Sequence, residues 1–500
     1  MTADIHIHYR NELHVFLECA VGISYEISEA FAFFVNGYKF MPAFKAGRWD
    51  GKVRLYNIKD RKFYIGLLHK LYEWADENGY TIAYANAEDF KNSRTSISDE
   101  EWEWLQTVGK FTPKWYQKDA IFAALRESKS LILSPTGSGK SYIQYLIIRA
   151  LLEQFPDGKI LMTVPSTSLV EQMYTDFQDY VADGWSVEDN VHRIYSGKEK
   201  YTHHRVVIST WQSAVKLPDA WFKAFIGYIC DEAHGADAKS ISSIIDRLAH
   251  APFRLGLTGT LDGTKMHELD MEARFGKIIR VATTKDLQDG GDLAPLNIEC
   301  FQLRYGKDDI ALVKNMDYEG EIKFIIGHKK RNYLLAKTAL AQTGNTLMLF
   351  NYIQKHGKVL YELLKPMCEK AGKKLYYISG ETKVDDREQI RQILERENNA
   401  ILLASFGTLA VGVNVKNLHS LIFCHPLKAV IRTLQSIGRI LRTAEGKVDV
   451  KLIDIADDLS YTTRNGVKKQ NTILRHFLER LKIYVGEKWK YKIIPIKMGE

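Results

Sequence analysis

Five hundred residues, 45% hydrophobic and 26% charged, hold enough apolar material for about two to four packed domains. Lys and Arg total 69 against 61 Asp and Glu, a formal charge of +8 that permits a polyanionic partner without requiring one. Cys19, Cys230, Cys300, Cys368 and Cys424 are dispersed and form no C-x-x-C pair, which argues against a disulfide frame or zinc site and for a reducing compartment. No apolar run reaches the length of a membrane span and no secretion signal is visible, so a cytoplasmic location is expected.

Residues 1–95 read as a small α+β domain. Ile5, Ile7, Val15 and Leu17 sit in alternating runs that suggest strands. Helices are expected over Ser24–Phe34 and Gly66–Gly79. Between them, Asn36–Asn57 interleaves Tyr38, Phe40, Phe44 and Trp49 with Lys39, Lys45, Arg48, Lys52 and Arg54, and Gly37, Gly47 and Gly51 suggest turns. Cations beside aromatics suit phosphate contact and base or sugar stacking, with Arg48 and Trp49 as candidate DNA contacts. The same aromatics would equally serve as a core beneath solvated lysines. The acidic stretch 86–103 reads as a linker.

Residues 96–284 alternate strand and helix, the pattern of a parallel sheet covered on both faces. Candidate strands are Leu131–Ser134, Lys159–Val164, Val206–Ser209, Ile226–Asp231 and Phe253–Thr258. Leu131–Ser141 reads LILSPTGSGKS, and an apolar-periodic run follows from Tyr142 to Leu152. Strand, glycine turn and helix in that order are the context of a P-loop. Pro135, Thr136, Gly137, Ser138 and Gly139 would wrap the β-phosphate with backbone N–H groups. Lys140 would face the β- and γ-phosphates, and Ser141 would hold Mg²⁺. Downstream, Tyr228–His234 reads YICDEAH, an apolar strand ending in paired acids. Asp231 would bind Mg²⁺ and Glu232 would orient the attacking water. ATP and Mg²⁺ are the expected cofactors.

Residues 285–456 restart the alternation after Asn297–Arg304, with strands at Thr346–Phe350, Lys374–Ile378, Ala400–Ala404, Leu421–Cys424 and Val450–Ile455. Helices are expected near His356–Ala371, Asp385–Glu397 and Val430–Leu441, and this unit has no P-loop of its own. Arg439 and Arg442 lie three apart on the last helix, so they would share a face and neutralise charge on a γ-phosphoryl group. The lysine loop falls in one unit and the arginines in the other, so ATP would sit in a cleft that closes on binding. Residues 457–500 are expected to form a helical segment from Asn471 to about Val485. Its Lys468, Lys469, Arg475, Arg480, Lys482, Lys488, Lys490 and Lys492 read as a docked helix with a solvated face in preference to DNA contact.

PTGSGKS, DEAH and QSIGRILR (Gln435–Arg442) together resemble motifs I, II and VI of superfamily 2 helicases. That family tolerates a small residue such as Ser134 at the first loop position. The resemblance extends in order through Trp115-Tyr116-Gln117, Val164–Gln172, Ser209–Ser213, Leu257–Thr260, Phe350–Gly357 and Ala404–Leu418. It implies two RecA-like domains in tandem. It also implies an adenine-reading Gln117, a nucleotide contact from Gly412, a catalytic role for Gln435 with Arg439 and Arg442, and coupling through Thr258, Gly259 and Thr260. Ser166, Thr167, Thr210 and Thr408 would meet phosphates without reading bases. Asn414 departs from the family, where many members carry Asp. The N-terminal NGYKFMPAFKAGRWDGKVRLYN, with WYQKDA, KSISSII and VKNLH, looks like the phage recombination helicases. That resemblance implies a monomeric, DNA-directed ATPase of the host cytoplasm acting on junctions, forks and RNA–DNA hybrids. An RNA helicase, an ATP-regulated annealing protein and a restriction motor subunit are the alternatives.

Overall fold

The computed structural model describes residues 3–498 apart from 36, 86, 91–96, 236–237, 262–263, 411–414, 429, 444–446 and 464. At 87, 89, 238, 384, 409–410, 430–432, 435 and 439 it describes the backbone alone. The chain divides into two compact units, Met1–Ser134 with Gly139–Ala282, and Thr283–Glu500 with Pro135–Ser138.

The first unit begins with β1 (Ile5–Tyr9) and β2 (His14–Cys19), an antiparallel pair whose Ile5, Ile7, Val15 and Leu17 are fully buried. The helix expected over Ser24–Phe34 runs instead over Val21–Ala30. Ala32–Phe34 is β3, pairing antiparallel with β4 (Lys52–Arg54). The aromatic run at Phe33–Phe34 favours a pleated ribbon over another helical turn. β5 (Lys62–Tyr64), the helix Leu68–Glu77 and β6 (Ile82–Tyr84) complete a sheet of order β5-β2-β1-β6. The expected linker runs into a helix, Asp99–Thr107, started by a Ser98–Glu101 capping box and seated on buried Trp102 and Leu105.

The N-terminal domain is bonded to the α/β domain behind it. Glu12 N donates to Ala249 O at 2.8 Å, and the buried Lys129 ammonium pairs with the Glu12 carboxylate at 2.6 Å. His69 and Lys70 both reach Glu272 at 3.2 Å. A Cβ at Gly66 would stand 2.0 Å from Glu272 O, so no side chain fits at that approach.

The α/β domain is built on β7 (Lys129–Leu133), β8 (Lys159–Val164), β9 (Val191–Ile194), β10 (Val206–Thr210), β11 (Phe225–Cys230), β12 (Phe253–Thr258) and β13 (Lys277–Arg280). Every pairing in the sheet order β13-β7-β12-β11-β8-β10-β9 is parallel. All residues of β10 and β12 are buried, as strands covered on both faces require.

The second unit repeats the plan with β14 (Leu296–Arg304), β15 (Thr346–Phe350), β16 (Lys374–Ile378), β17 (Ala400–Ser405), β18 (Ser420–Phe423) and β19 (Val450–Asp458). A small hairpin, β20 (Tyr461–Thr462) with β21 (Lys468–Lys469), precedes the helix Thr472–Gly486. The segment after Asp458 is not helical throughout: it ends in β22 (Tyr491–Lys497), which pairs parallel to β14 and closes the order β16-β17-β15-β18-β19-β14-β22. Nor is Arg480 on a solvated face. It is fully buried and grips Asp454 through Nε at 2.8 Å and Nη2 at 2.7 Å. Tyr484 OH donates to the same carboxylate at 2.8 Å. Arg331 makes a matching buried pair with Asp457 at 2.7 and 3.0 Å.

Arg480→Ala would strand the buried Asp454 charge and cost about 3–5 kcal/mol, which amide hydrogen exchange along β19 will register. His425, after β18, is held neutral by burial, reinforced by Arg331, with its pKa pushed down to about 3. A depressed imidazole contributes stability above its unfolded pKa and loses it as pH falls. Stability should therefore decline from about pH 6.5 downwards, by about 2 kcal/mol at pH 5. His425→Gln should flatten that slope in urea titrations.

Candidate functional site

β7 ends at Leu133 and the chain enters the helix Lys140–Gln154 through a turn that only glycine-like backbone can make, with Gly137 at φ 92° and Gly139 at φ 75°. Gly139 is also crowded: a Cβ there would meet Gln117 Nε2 at 2.5 Å. The expected adenine reader therefore lies against the loop. Gln117 Oε1 accepts from Lys114 N at 2.9 Å, which fixes the amide at the start of its helix. Lys140 Nζ donates to Ser134 O at 3.2 Å, and Ser141 Oγ meets Tyr180 OH at 2.7 Å. Pro135 and Ser138 are buried in the turn, and Thr136 is half-buried.

Asp231 follows β11 directly and its backbone N–H donates to Thr163 O at 2.9 Å. Burial raises its carboxyl pKa to about 7, the neighbouring Glu232 adds to the rise, and Lys140 opposes it. Gln144 Nε2 donates to Asp231 Oδ1 at 3.0 Å. Glu232 occupies the left-handed region at φ 48°, strained for a residue with a side chain, and its buried Oε2 faces His234 Nδ1 at 3.3 Å. His234 Nδ1 meets Thr258 Oγ1 at 2.6 Å, and Thr258 Oγ1 donates to Thr260 O at 3.0 Å. The acidic turn and the Thr258-Gly259-Thr260 turn are thus bonded to each other. A buried acid with a raised pKa, a second carboxylate directly after it and a lysine at a helix start form a donor set that fits a metal–nucleotide phosphate.

In the second unit the helix Val430–Ile440 stops before Arg442. Arg442 instead lies beyond the helix, in an antiparallel bridge to Leu293. The Gln435 and Arg439 side chains, and Gly412, lie outside the described residues. Lys447 holds the end of that helix. Its buried ammonium donates to Ile440 O at 2.5 Å, Arg442 O at 2.8 Å and Lys416 O at 3.1 Å, and burial lowers its pKa to about 8.

The candidate nucleic-acid contacts divide. Ser166 and Thr210 cap helices through Leu169 N and Ser213 N, and Thr408 is buried against Ser405 Oγ at 2.6 Å. Their hydroxyls serve the fold, while Thr167 is exposed. In the N-terminal domain the aromatics do not join the core around Phe31, Tyr56 and Phe63. Phe34, Tyr38 and Phe44 form a separate stack, and Phe40 is 79% exposed. Lys52 and Arg54 are engaged by Glu29 and Asp50. Lys39, Lys45 and Arg48 are exposed, and Trp49 Nε1 is tied to Lys52 O at 2.8 Å.

Three residues escape sequence reasoning. Gln144 carries a signal, a polar side chain four residues after Lys140 within an apolar helix, hence on the same face. Tyr180 carries none, because its contact with Ser141 is distant in sequence, and Lys447 carries none, because nothing in the sequence tells a lysine that binds carbonyls from a solvated one.

The family model of the UvsW DNA helicase N-terminal region matches residues 4–85, that of the type III restriction enzyme res subunit 110–263, and that of the helicase conserved C-terminal domain 329–444. The ATP-dependent DNA helicase uvsW of Enterobacteria phage T4 is 34% identical over 99% of this chain and 100% of its own length. Its crystal structure aligns over 99% of both chains with a TM-score of 0.52 and 32% identity. A fragment of an HsdR subunit from Vibrio vulnificus, 18% identical with a TM-score of 0.56 over 80% of this chain and 72% of its own, shares the fold. Such identity from end to end makes this chain a member of the UvsW family of ATP-dependent superfamily 2 helicases.

Proposed function

We propose that the protein is an ATP-driven DNA motor that remodels branched DNA, including junctions, forks and RNA–DNA hybrids, in phage recombination and repair. The observation that carries this reading is the Asp231–Glu232 pair at the end of β11, its buried Asp231 bonded to Gln144 on the same helix that begins with Lys140. The end-to-end likeness to the T4 DNA helicase supports DNA as the track. Both motif sets lie on one chain, so a monomer is sufficient. The phage relative fits a host cytoplasmic location.

Ser141 and Asp231 would hold Mg²⁺, and the ion when bound supplies charge neutralisation to the phosphoryl oxygens. Gln144 keeps the Asp231 carboxylate aimed, and Tyr180 does the same for the Ser141 hydroxyl. Lys140 releases the Ser134 carbonyl to meet the phosphates as a point charge. Glu232, half-buried beside His234, orients water in line and accepts its proton. Gln117 reads the adenine edge, and Gln435, Arg439 and Arg442 quench charge on the γ-phosphoryl group. His234 and Thr258 pass the state of the acidic turn to the Thr258–Thr260 turn. Exposed Lys39, Lys45 and Arg48, beside Phe40 and Trp49, contact the DNA backbone and bases.

Lys140→Ala and Glu232→Gln should each lower kcat at least about 10²-fold, Glu232→Gln without loss of nucleotide binding. Arg442→Ala should weaken hydrolysis more than binding, read by single-turnover ATPase beside fluorescent-nucleotide titration. ATPase and unwinding on forks, four-way junctions, RNA–DNA hybrids, plain duplex and RNA should rank branched DNA first. Stronger stimulation by RNA would replace DNA as the track. Arg48→Ala with Trp49→Ala should weaken DNA binding with unchanged circular dichroism.

A further inference from the structure

Parallel pairing brings the carboxyl ends of β14, β15, β17, β18 and β19 to one edge of the second sheet. From that edge the chain leaves β19 at Asp458 and enters the β20–β21 hairpin. Its root is fixed by Asn471, which accepts from Leu459 N at 3.0 Å and donates to Asp457 O at 3.1 Å. Its turn is closed by Thr463 N on Val467 O at 2.9 Å and Gly466 N on Thr463 O at 3.0 Å. Val467 beside the turn is 58% exposed. Lys468, Lys469, Gln470 and Arg475 line an open concavity at its base, and Lys314 stands 5.0 Å over the Tyr461 ring.

The charges here lack the compensation found nearby. Lys482 pairs with Glu479 and Lys451 with Glu299. Lys468, Lys469 and Arg475 make no ion pair among the described residues. Glu321, the acid at this helix start, is occupied by Thr472 N and Ile473 N. Concentrated like charge on a firmly rooted hairpin is unfavourable until a polyanion neutralises it. A membrane surface would ask for a broad apolar face, whereas the described residues of this ribbon offer one exposed valine and one aromatic ring.

We propose that the hairpin is a phosphate-backbone contact, gripping a nucleic-acid strand as it leaves the carboxyl edge of the second sheet. This rests on the motor reading above and adds a site to it. Neutralising two or three phosphates with these cations would release the counterions bound there, so the hairpin should contribute to the salt dependence of binding.

The test is the full chain carrying Lys468→Ala, Lys469→Ala and Arg475→Ala, titrated with forked DNA at several salt concentrations. Affinity should fall at least about tenfold at low salt and the log–log salt slope should become shallower by about 2. DNA-free ATPase and thermal unfolding should be unchanged. If the triple variant unfolds, Lys468→Gln with Lys469→Gln should still flatten the slope, by about 1 or more. A slope equal to wild type, with DNA-stimulated ATPase intact, would overturn the hairpin and leave the motor standing. Loss of binding to phosphatidylserine vesicles with an unaltered DNA slope would overturn it in favour of a lipid surface. A wild type that binds no DNA would bring down both.

Discussion

Two parallel sheets buried on both faces leave chemistry almost nowhere to go except the strand ends. That constraint orders the rest of the molecule. Leu133 hands over to the phosphate-type loop, Cys230 to Asp231 and Glu232, and Thr258 to the turn that receives His234. In the second unit, Ser405 with Thr408 and the β20–β21 hairpin sit at the equivalent ends of β17 and β19. Rigid strands fix where each backbone exits, so a few side chains can be held within hydrogen-bond distance without a dedicated scaffold.

The first unit places its acids under electrostatic load. Asp231 is buried beside another carboxylate, and Glu232 is held in strained backbone against His234. Such an arrangement is unfavourable by itself and becomes favourable when positive charge arrives. The second unit resolves its buried charges internally. Arg331 answers Asp457 and Arg480 answers Asp454, each with two hydrogen bonds. One pattern suits a place where something binds, the other a place where the chain is fastened.

Motif-bearing strands are readable because their apolar runs end in residues with distinctive chemistry. β8 and β12 lie where the run of buried residue types places them. The edge strands β9 and β13 are four residues each, too short to show a period. Pro495 hides β22, since proline argues against a strand, although an outer strand tolerates it. Arg480 reads like the surface lysines around it because sequence cannot show that Asp454 waits beneath it. The arginine pair misleads for a different reason: the helix ends at Ile440, and Lys447, seven residues further on, secures that end.

The pairing of β14 carries a consequence for how the protein is made. β14 emerges early in the second unit, yet both of its neighbours, β19 and β22, are among the last segments synthesised. A nascent chain on the ribosome must therefore carry an apolar strand with two unsatisfied edges through most of the translation of that unit. The first unit has all seven strands of its parallel sheet by Arg280 and can finish folding while that strand is still waiting.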